Sequence, residues 1–261
     1  TLFRSEGLVA AGNIFMGMTE SPVLIKNYLP TMNRSEIFLV MVSGMGTIAG
    51  SVMGTYIGML GGTDPAAKVL FATHLLSASV MAVPGSIVLA KMLCPQTEEA
   101  TDHVAISGKE KENSNILDAI SSGTVTGVKL MTNIAAMLLV FISLVALANY
   151  ITEGVIGRYT GLNDWIVKIT DGKAQGLTFQ FILGVITSPF MWLIGVPSQD
   201  IMLVGSLLGQ KTILNEFVAY FQLQQWKDAG LFMYEKSILM STYILCGFAN
   251  ISSIGILLGG L

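Results

Sequence analysis

A carboxylate inside an apolar segment is costly unless something specific offsets it, and this sequence has two. Glu20 sits in the polar break Gly17-Met18-Thr19-Glu20-Ser21, between apolar blocks at 7–16 and 22–30. At a helix junction of that kind, free N–H groups can balance its charge. Glu216 lies mid-span in Lys211-Thr212-Ile213-Leu214-Asn215-Glu216-Phe217. Two further interruptions fall inside long apolar runs. Gly44-Met45-Gly46-Thr47-Ile48-Ala49-Gly50 is glycine-rich and weakly helical, as a helix break must be if backbone carbonyls are to face a cation. Gly247-Phe248-Ala249-Asn250-Ile251-Ser252-Ser253 brings an aromatic and three polar side chains into hydrocarbon. At a common depth, the four breaks would line one site. Each also has a plainer reading. Glu20 could be a simple helix-start carboxylate, Glu216 an ion-pair partner of Lys211, Asn250 and Ser253 interhelical hydrogen-bonding groups, and the glycines of 44–50 a close-packing surface.

Catalysis is the competing chemistry, with Glu20 and Glu216 as the acid/base pair of a membrane-embedded enzyme. Other enzyme signatures are missing: there is no G-x-S-x-G, H-E-x-x-H, C-x-x-C or phosphate-binding loop. Residues 44–49 match a G-x-G-x-x-A dinucleotide pattern, but inside an apolar span without a βαβ context. Two histidines, His74 and His103, and two cysteines, Cys94 and Cys246, are too few and too scattered for a zinc site or a disulfide framework. His74 is expected at a membrane interface near Asp64 and Lys68, and His103 in a solvated loop. The 15 methionines read as core filler.

The elements that must position these residues follow from composition. Of 261 residues, 52% are hydrophobic and 12% charged, and the mean hydropathy is +0.66. Average soluble domains carry about 25% charge, so a polytopic, all-α membrane protein is the expected class. A net charge of −3 without a basic stripe argues against nucleic acid as a partner. Blocks 37–60, 69–93, 130–151, 201–221 and 238–261 are long enough to span a bilayer as helices. Blocks 7–16 and 22–30 are too short, which suggests a re-entrant helical hairpin over 5–31. The block 177–196, split by Thr187-Ser188-Pro189, reads as a second hairpin over 177–197. Residues 95–115 hold seven charged groups between Glu98 and Glu112 and read as a loop in water. The chain opens on Thr1 and is already apolar at residue 8, so it is read as a piece of a longer protein.

Punctuation suggests a repeat. Gly17 to Pro22 and Gly184 to Pro189 both span five residues, and Pro22 to Pro30 and Pro189 to Pro197 both span eight. Nineteen residues past Pro197 is Glu216, and nineteen past Pro30 is Ala49. Residues 1–93 then form one repeat of a hairpin and two spans, and 177–261 the other. Residues 94–176 supply the polar loop, a connecting helix and a linker. With both hairpins re-entrant, one side holds Arg4, Lys26, Arg34, Lys91, Lys109, Lys111, Lys129, Lys227 and Lys236. The other side holds Lys68, Arg158, Lys168 and Lys173. That bias puts the first group in the cytoplasm and the C-terminus outside. The repeat is therefore inverted, an arrangement in which substrate and ions bind near the midplane at broken helices.

Three stretches carry a resemblance: 17–22, the run Gly209-Gln210-Lys211-Thr212-Ile213-Leu214-Asn215-Glu216-Phe217-Val218-Ala219-Tyr220, and 247–253. They resemble the C-terminal part of the concentrative nucleoside transporter family, which includes the NupC-type permeases. The resemblance extends over essentially the whole chain, and family members carry roughly three more transmembrane helices before it. It implies a cation-coupled symporter that takes up nucleosides by an elevator-like shift, as a homotrimer in the plasma membrane, here a bacterial inner membrane. A symporter for another polar organic substrate is the alternative within transport. The nucleobase contacts would fall on Gly17, Met18, Thr19 and Glu20, with Val52 nearby. Glu216, Asn250 and Ser253 would hold the ribose, and Phe248 would border the pocket. The family's sodium site would map onto the side chains of Asn13 and Thr47 with carbonyls of Met16, Thr47 and Ile48. Either Na⁺ or H⁺ could be the coupling ion, and no other cofactor is implied. Many members have Gln where this chain has Met18. Without that amide the site is expected to discriminate less by base and to accept purine nucleosides, unless Met18 turns away into lipid or a neighbouring helix.

Overall fold

The structure is a computed structural model that describes residues 5–18, 20–25, 29–97, 115–170, 172, 174–251 and 253. Every regular element among these is helical. In order they are α1 (Ser5–Gly12), two 3₁₀ turns (Ser21–Ile25 and Leu29–Thr31), α2 (Arg34–Gly46), α3 (Gly50–Gly61), α4 (Pro65–Leu93) and α5 (Ile116–Asn149). A π-helical stretch, Tyr150–Gly157, leads to α6 (Arg158–Thr160), α7 (Leu162–Ile169), α8 (Phe179–Leu193), α9 (Ile201–Ile213), α10 (Glu216–Asp228) and α11 (Glu235–Leu245).

Side-chain caps set several helix starts by accepting from free N–H groups of the first turn. Asn33 opens α2 with a reciprocal capping box to Glu36, and Asp64 opens α4 by accepting from the amides of Ala66 and Ala67, with Pro65 at the first helical position. Asn115, Thr178 and Asn215 cap α5, α8 and α10 in the same way. Asp200, ahead of α9, instead accepts from the backbone amides of Met233 and Tyr234 at 3.0 and 3.1 Å. That ties the start of α9 to the chain entering α11. At one polar end, Lys91 of α4 bonds Glu6 of α1 at 2.8 Å and Ser35 of α2 at 3.1 Å.

The long apolar runs are interrupted where the sequence suggested. The run over 37–60 divides at 47–49 into α2 and α3, 201–221 divides at Leu214-Asn215 into α9 and α10, and 238–261 breaks after Leu245. The expected break at Thr187-Ser188-Pro189 is not there. α8 runs through it, and the chain reverses later, at Gly195 with φ +84°. Pro189 removes one backbone donor, the one that would serve the Val185 carbonyl, and the hydroxyls of Thr187 and Ser188 lie 2.9 and 2.6 Å from the Leu183 and Gly184 carbonyls of the preceding turn. Stopping the helix there would orphan several groups in an apolar setting, whereas running on orphans fewer. The loop reading of 98–112, with His103, lies outside the described residues, as does Thr19. His74 is half-buried, with its Nδ1 3.0 Å from the Tyr243 hydroxyl of α11 rather than near Asp64.

Two stretches share a pattern of lengths. α1 and α7 have 8 residues each, α2 and α9 have 13 each, and α3 and α10 have 12 and 13. The main apolar core joins both stretches: Ile48, Tyr56 and Leu75 pack with Leu207, Tyr220 and Leu245. α5, 34 residues long, exposes Val128, Met131, Leu139, Val140, Leu144 and Leu147, a face suited to hydrocarbon rather than water.

α8 and α9 run antiparallel on glycines: a Cβ on Gly184 would lie 3.0 Å from the Met202 carbonyl, and one on Gly209 would fall on the Leu183 Cβ. Close helix approach through small residues is how apolar media hold helices together. Gly209→Ala should lower the melting temperature of the purified protein by the equivalent of about 1–3 kcal/mol, the usual result of overpacking. Because the clash is with the Leu183 Cβ, which alanine also carries, Leu183→Ala in the same chain should not recover that loss.

Candidate functional site

The first hairpin ends in a tight turn. α1 stops at Gly12, and the amides of Glu20 and Ser21 both approach the Gly17 carbonyl at 3.1 Å. The Glu20 carboxylate accepts from the Gly17 amide, so the exposed Glu20 closes its own loop. Asn13 is fully buried. Its amide donates to Ser43 Oγ at 3.0 Å, and its carbonyl oxygen accepts from Ser21. Thr47 Oγ1 donates to the Ser43 carbonyl at 3.2 Å. Asn13 and Thr47, from different segments, therefore meet at Ser43, a residue that sequence reasoning passed over. Ile48 is fully buried beside Thr47, and Met16 is half-buried. Met18 is buried, and a Cβ on Gly44 would lie 3.1 Å from the Met18 Cβ, so α2 accepts this residue only because position 44 is glycine.

The second cluster forms around Glu216, the first residue of α10. Asn215 caps the helix by accepting from Val218 N at 2.9 Å, which leaves the Glu216 carboxylate beside the positive end of the helix. Asn250 Nδ2 donates to Glu216 Oε2 at 2.8 Å, and the Tyr56 hydroxyl lies 3.5 Å from Oε1. Asn250 Oδ1 in turn accepts from Ser253 N at 2.7 Å, so one amide joins the carboxylate to the next helical turn. Tyr56 stacks on Tyr220 with centroids 4.1 Å apart, and the Tyr220 hydroxyl donates to the Thr242 carbonyl at 2.8 Å. Ser253 is buried, while Phe248 and Val52 pack against the main core. Lys211 and Glu216 find separate partners, and no ion pair joins them among the described residues. The tyrosines were also missed. Their signal was a hydroxyl at the end of a large ring in an apolar helix, which needs a partner when buried.

The four breaks touch in sequence. The Gly50 amide donates to the Phe15 carbonyl at 2.9 Å, joining the hairpin turn to the α2–α3 break. Gly247, with φ +123°, rests on the end of α2, where a Cβ would lie 2.9 Å from both the Met45 and Gly46 carbonyls. Asn250, three residues on, reaches Glu216 at the α9–α10 break. Interrupted helices thus converge on two polar clusters, one of neutral oxygens and one around a carboxylate. Glu20 and Glu216 belong to different clusters and share no hydrogen-bond partner among the described residues.

Discontinuous helices meeting at buried polar groups define the class: an all-α membrane carrier of the kind whose sites lie at helix breaks. The chain belongs to the family described as Na⁺ dependent nucleoside transporter C-terminus, whose model matches residues 74–261. It is 39% identical to an uncharacterized transporter of Haemophilus influenzae, covering 99% of this chain and 57% of that protein. It is also 39% identical to sodium/nucleoside cotransporter 2 of Rattus norvegicus, covering 98% and 38%. Among solved structures it resembles CNTnw in an inward-facing, substrate-bound state, with a TM-score of 0.76 and 35% identity over 98% of this chain and 56% of that one. The chain thus spans about half the length of the bacterial relative and less of the rat one.

Gly247 and Gly54 separate a glycine the site needs from one it does not. Gly247→Ala combines a disfavoured φ with two carbonyl contacts and should cost about 1–3 kcal/mol in thermal unfolding. Gly54→Ala, in α3 with no atom within 4 Å of the added Cβ, should be neutral or stabilising by up to about 1 kcal/mol.

Proposed function

We propose that this chain forms the substrate-carrying part of a cation-coupled nucleoside importer. The observation that carries the reading is the bond from Asn250 to Glu216 at the point where the helix breaks converge. A buried carboxylate with a charge-assisted partner can accept from both vicinal hydroxyls of a ribose, while an amide and a hydroxyl supply complementary groups. Glu216, Asn250 and Ser253 are proposed to hold the sugar, bordered by Phe248. The turn of Gly17, Met18, Thr19 and Glu20, with Val52 near it, is proposed to face the base. The relatives named as sodium/nucleoside cotransporters support this substrate class.

Na⁺ is the proposed coupling ion. Asn13 and Thr47 both bond Ser43, Asn13 through its amide nitrogen and Thr47 through its hydroxyl, while the Asn13 oxygen accepts from Ser21; the carbonyls of Met16, Thr47 and Ile48 belong to the same two segments. An uncharged oxygen set suits a hard cation that must also be released. The inverted repeat is proposed to pair α1–α4 with α7–α11, which moves the start of the second unit from 177 to 162. An elevator-like shift, a homotrimer, residence in a bacterial inner membrane and an external C-terminus complete the proposal. Since position 18 offers no amide, purine nucleosides should be accepted alongside uridine.

Uptake by the whole protein in proteoliposomes tests this reading. Labelled uridine should accumulate with an inward Na⁺ gradient, stop when choline replaces sodium, and be displaced by inosine and adenosine. Uptake indifferent to sodium but lost with a protonophore would reassign the ion to H⁺, and product formation without net uptake would favour an enzyme.

Glu216→Gln keeps the shape but halves the acceptors. Uridine affinity should fall at least tenfold, in line with about 1.5–3 kcal/mol for a bond to a charged group. Competition by 2′,3′-dideoxyuridine against the unsubstituted protein checks the assignment independently, and equal binding of the two nucleosides would remove it.

A further inference from the structure

The sugar contacts leave the buried charge nearest to them in sequence, Lys211, unused. Lys211, in the last turn of α9, is 6% exposed, and an ammonium in such surroundings must find a compensating group. Its Nζ donates to the Ile244 carbonyl at 2.9 Å. That carbonyl belongs to the last turn of α11, which stops at Leu245, where carbonyls lose their intrahelical donors. Other donors gather at the same end. The Cys246 amide approaches the Thr242 and Tyr243 carbonyls at 3.2 and 3.1 Å, and the Tyr220 hydroxyl reaches Thr242. A cation is also favoured at the negative end of a helix. Beyond this end the chain has little freedom before it reaches the site: Gly247 is pressed on α2, and Asn250 bonds Glu216. The place where α11 stops therefore decides where the Asn250 amide arrives.

We infer that Lys211 is a positioning residue for sugar recognition: its ammonium caps the interrupted end of α11 and so holds Asn250 in register with Glu216. The inference rests on the nucleoside reading above. It makes discrimination of the sugar depend on a side chain bonded to the helix end rather than to the Glu216–Asn250 pair itself.

The test is competition of labelled uridine uptake by uridine and by 2′,3′-dideoxyuridine, using the whole protein in proteoliposomes. Lys211→Met keeps length and apolarity but removes the cap. Uridine should weaken at least about tenfold while the dideoxy compound changes less than about twofold, so the ratio between them collapses. Lys211→Arg, which keeps the charge and the donors, should restore most of the ratio. A residue that only supported folding would lower yield, melting temperature and both affinities together. An unchanged ratio in Lys211→Met therefore overturns the inference. If that variant cannot be purified, Tyr220→Phe decides. It removes the other side-chain donor at this helix end, keeps the ring on Tyr56, and should reduce the ratio by about threefold; no reduction overturns the inference. Failure of the unsubstituted protein to prefer uridine would sink the ribose assignment itself, a result distinct from a preference that survives Lys211→Met.

Discussion

A helix that stops inside an apolar slab leaves amide and carbonyl groups with no water to bond, and each orphan costs several kcal/mol in order of magnitude. That constraint organises this molecule. Among the described residues some interruptions are satisfied within their own segment, where Asn215 opens α10 and Asn250 accepts from Ser253, and others by a neighbour, where Phe15 accepts from Gly50 and Lys211 and Tyr220 donate to the end of α11. The interruptions gather where some supply what others lack, and the polar clusters follow from that gathering.

The two buried charges flanking the α9–α10 break illustrate the economy of the arrangement. Lys211 and Glu216 are five residues apart on either side of one break, so a direct ion pair would have been the simplest compensation. Each is instead turned onto a backbone or amide partner from α11 or the segment after it. A direct pair would occupy the carboxylate with an ammonium. Separation leaves Glu216 with acceptor capacity, since the Tyr56 hydroxyl stands at 3.5 Å from one oxygen, the far limit of a hydrogen bond.

Interruptions were legible in the sequence because glycine weakens a helix and a polar side chain is costly in hydrocarbon, so the two together inside an apolar run mark a break. Their partners were harder to read. Pro30 and Pro197 each precede, by three residues, the residues opening α2 and α9, Asn33 and Asp200, and there the repeat in the punctuation coincides with structure. Gly17 and Gly184 do not correspond in the same way: the first sits in a turn, the second in the middle of α8 facing the Met202 carbonyl. Glycine serves both turns and close packing, and sequence alone does not separate the uses. Pro189 misled because giving up one backbone bond costs less in an apolar setting than ending the helix there. Ser43, Tyr56 and Tyr220 were invisible because their importance comes from other segments, more than 150 residues away in sequence for Tyr56 and Glu216.

Packing adds a mechanical consequence. The core that joins Ile48 and Tyr56 to Leu207, Tyr220 and Leu245 interleaves the broken helices of both halves, so one break cannot shift far without dragging the others. Bonds across the same elements add direction to that coupling, from Asn13 to Ser43 on one side and from Tyr56 to Glu216 on the other. Among the described residues α5 contributes none to this core, and its Val128, Met131, Leu139, Val140, Leu144 and Leu147 are exposed. A body whose site is built from such mutual dependencies changes access most cheaply by moving whole against a separate support. This is the physical argument for the proposed elevator-like shift over a gate that opens within the site.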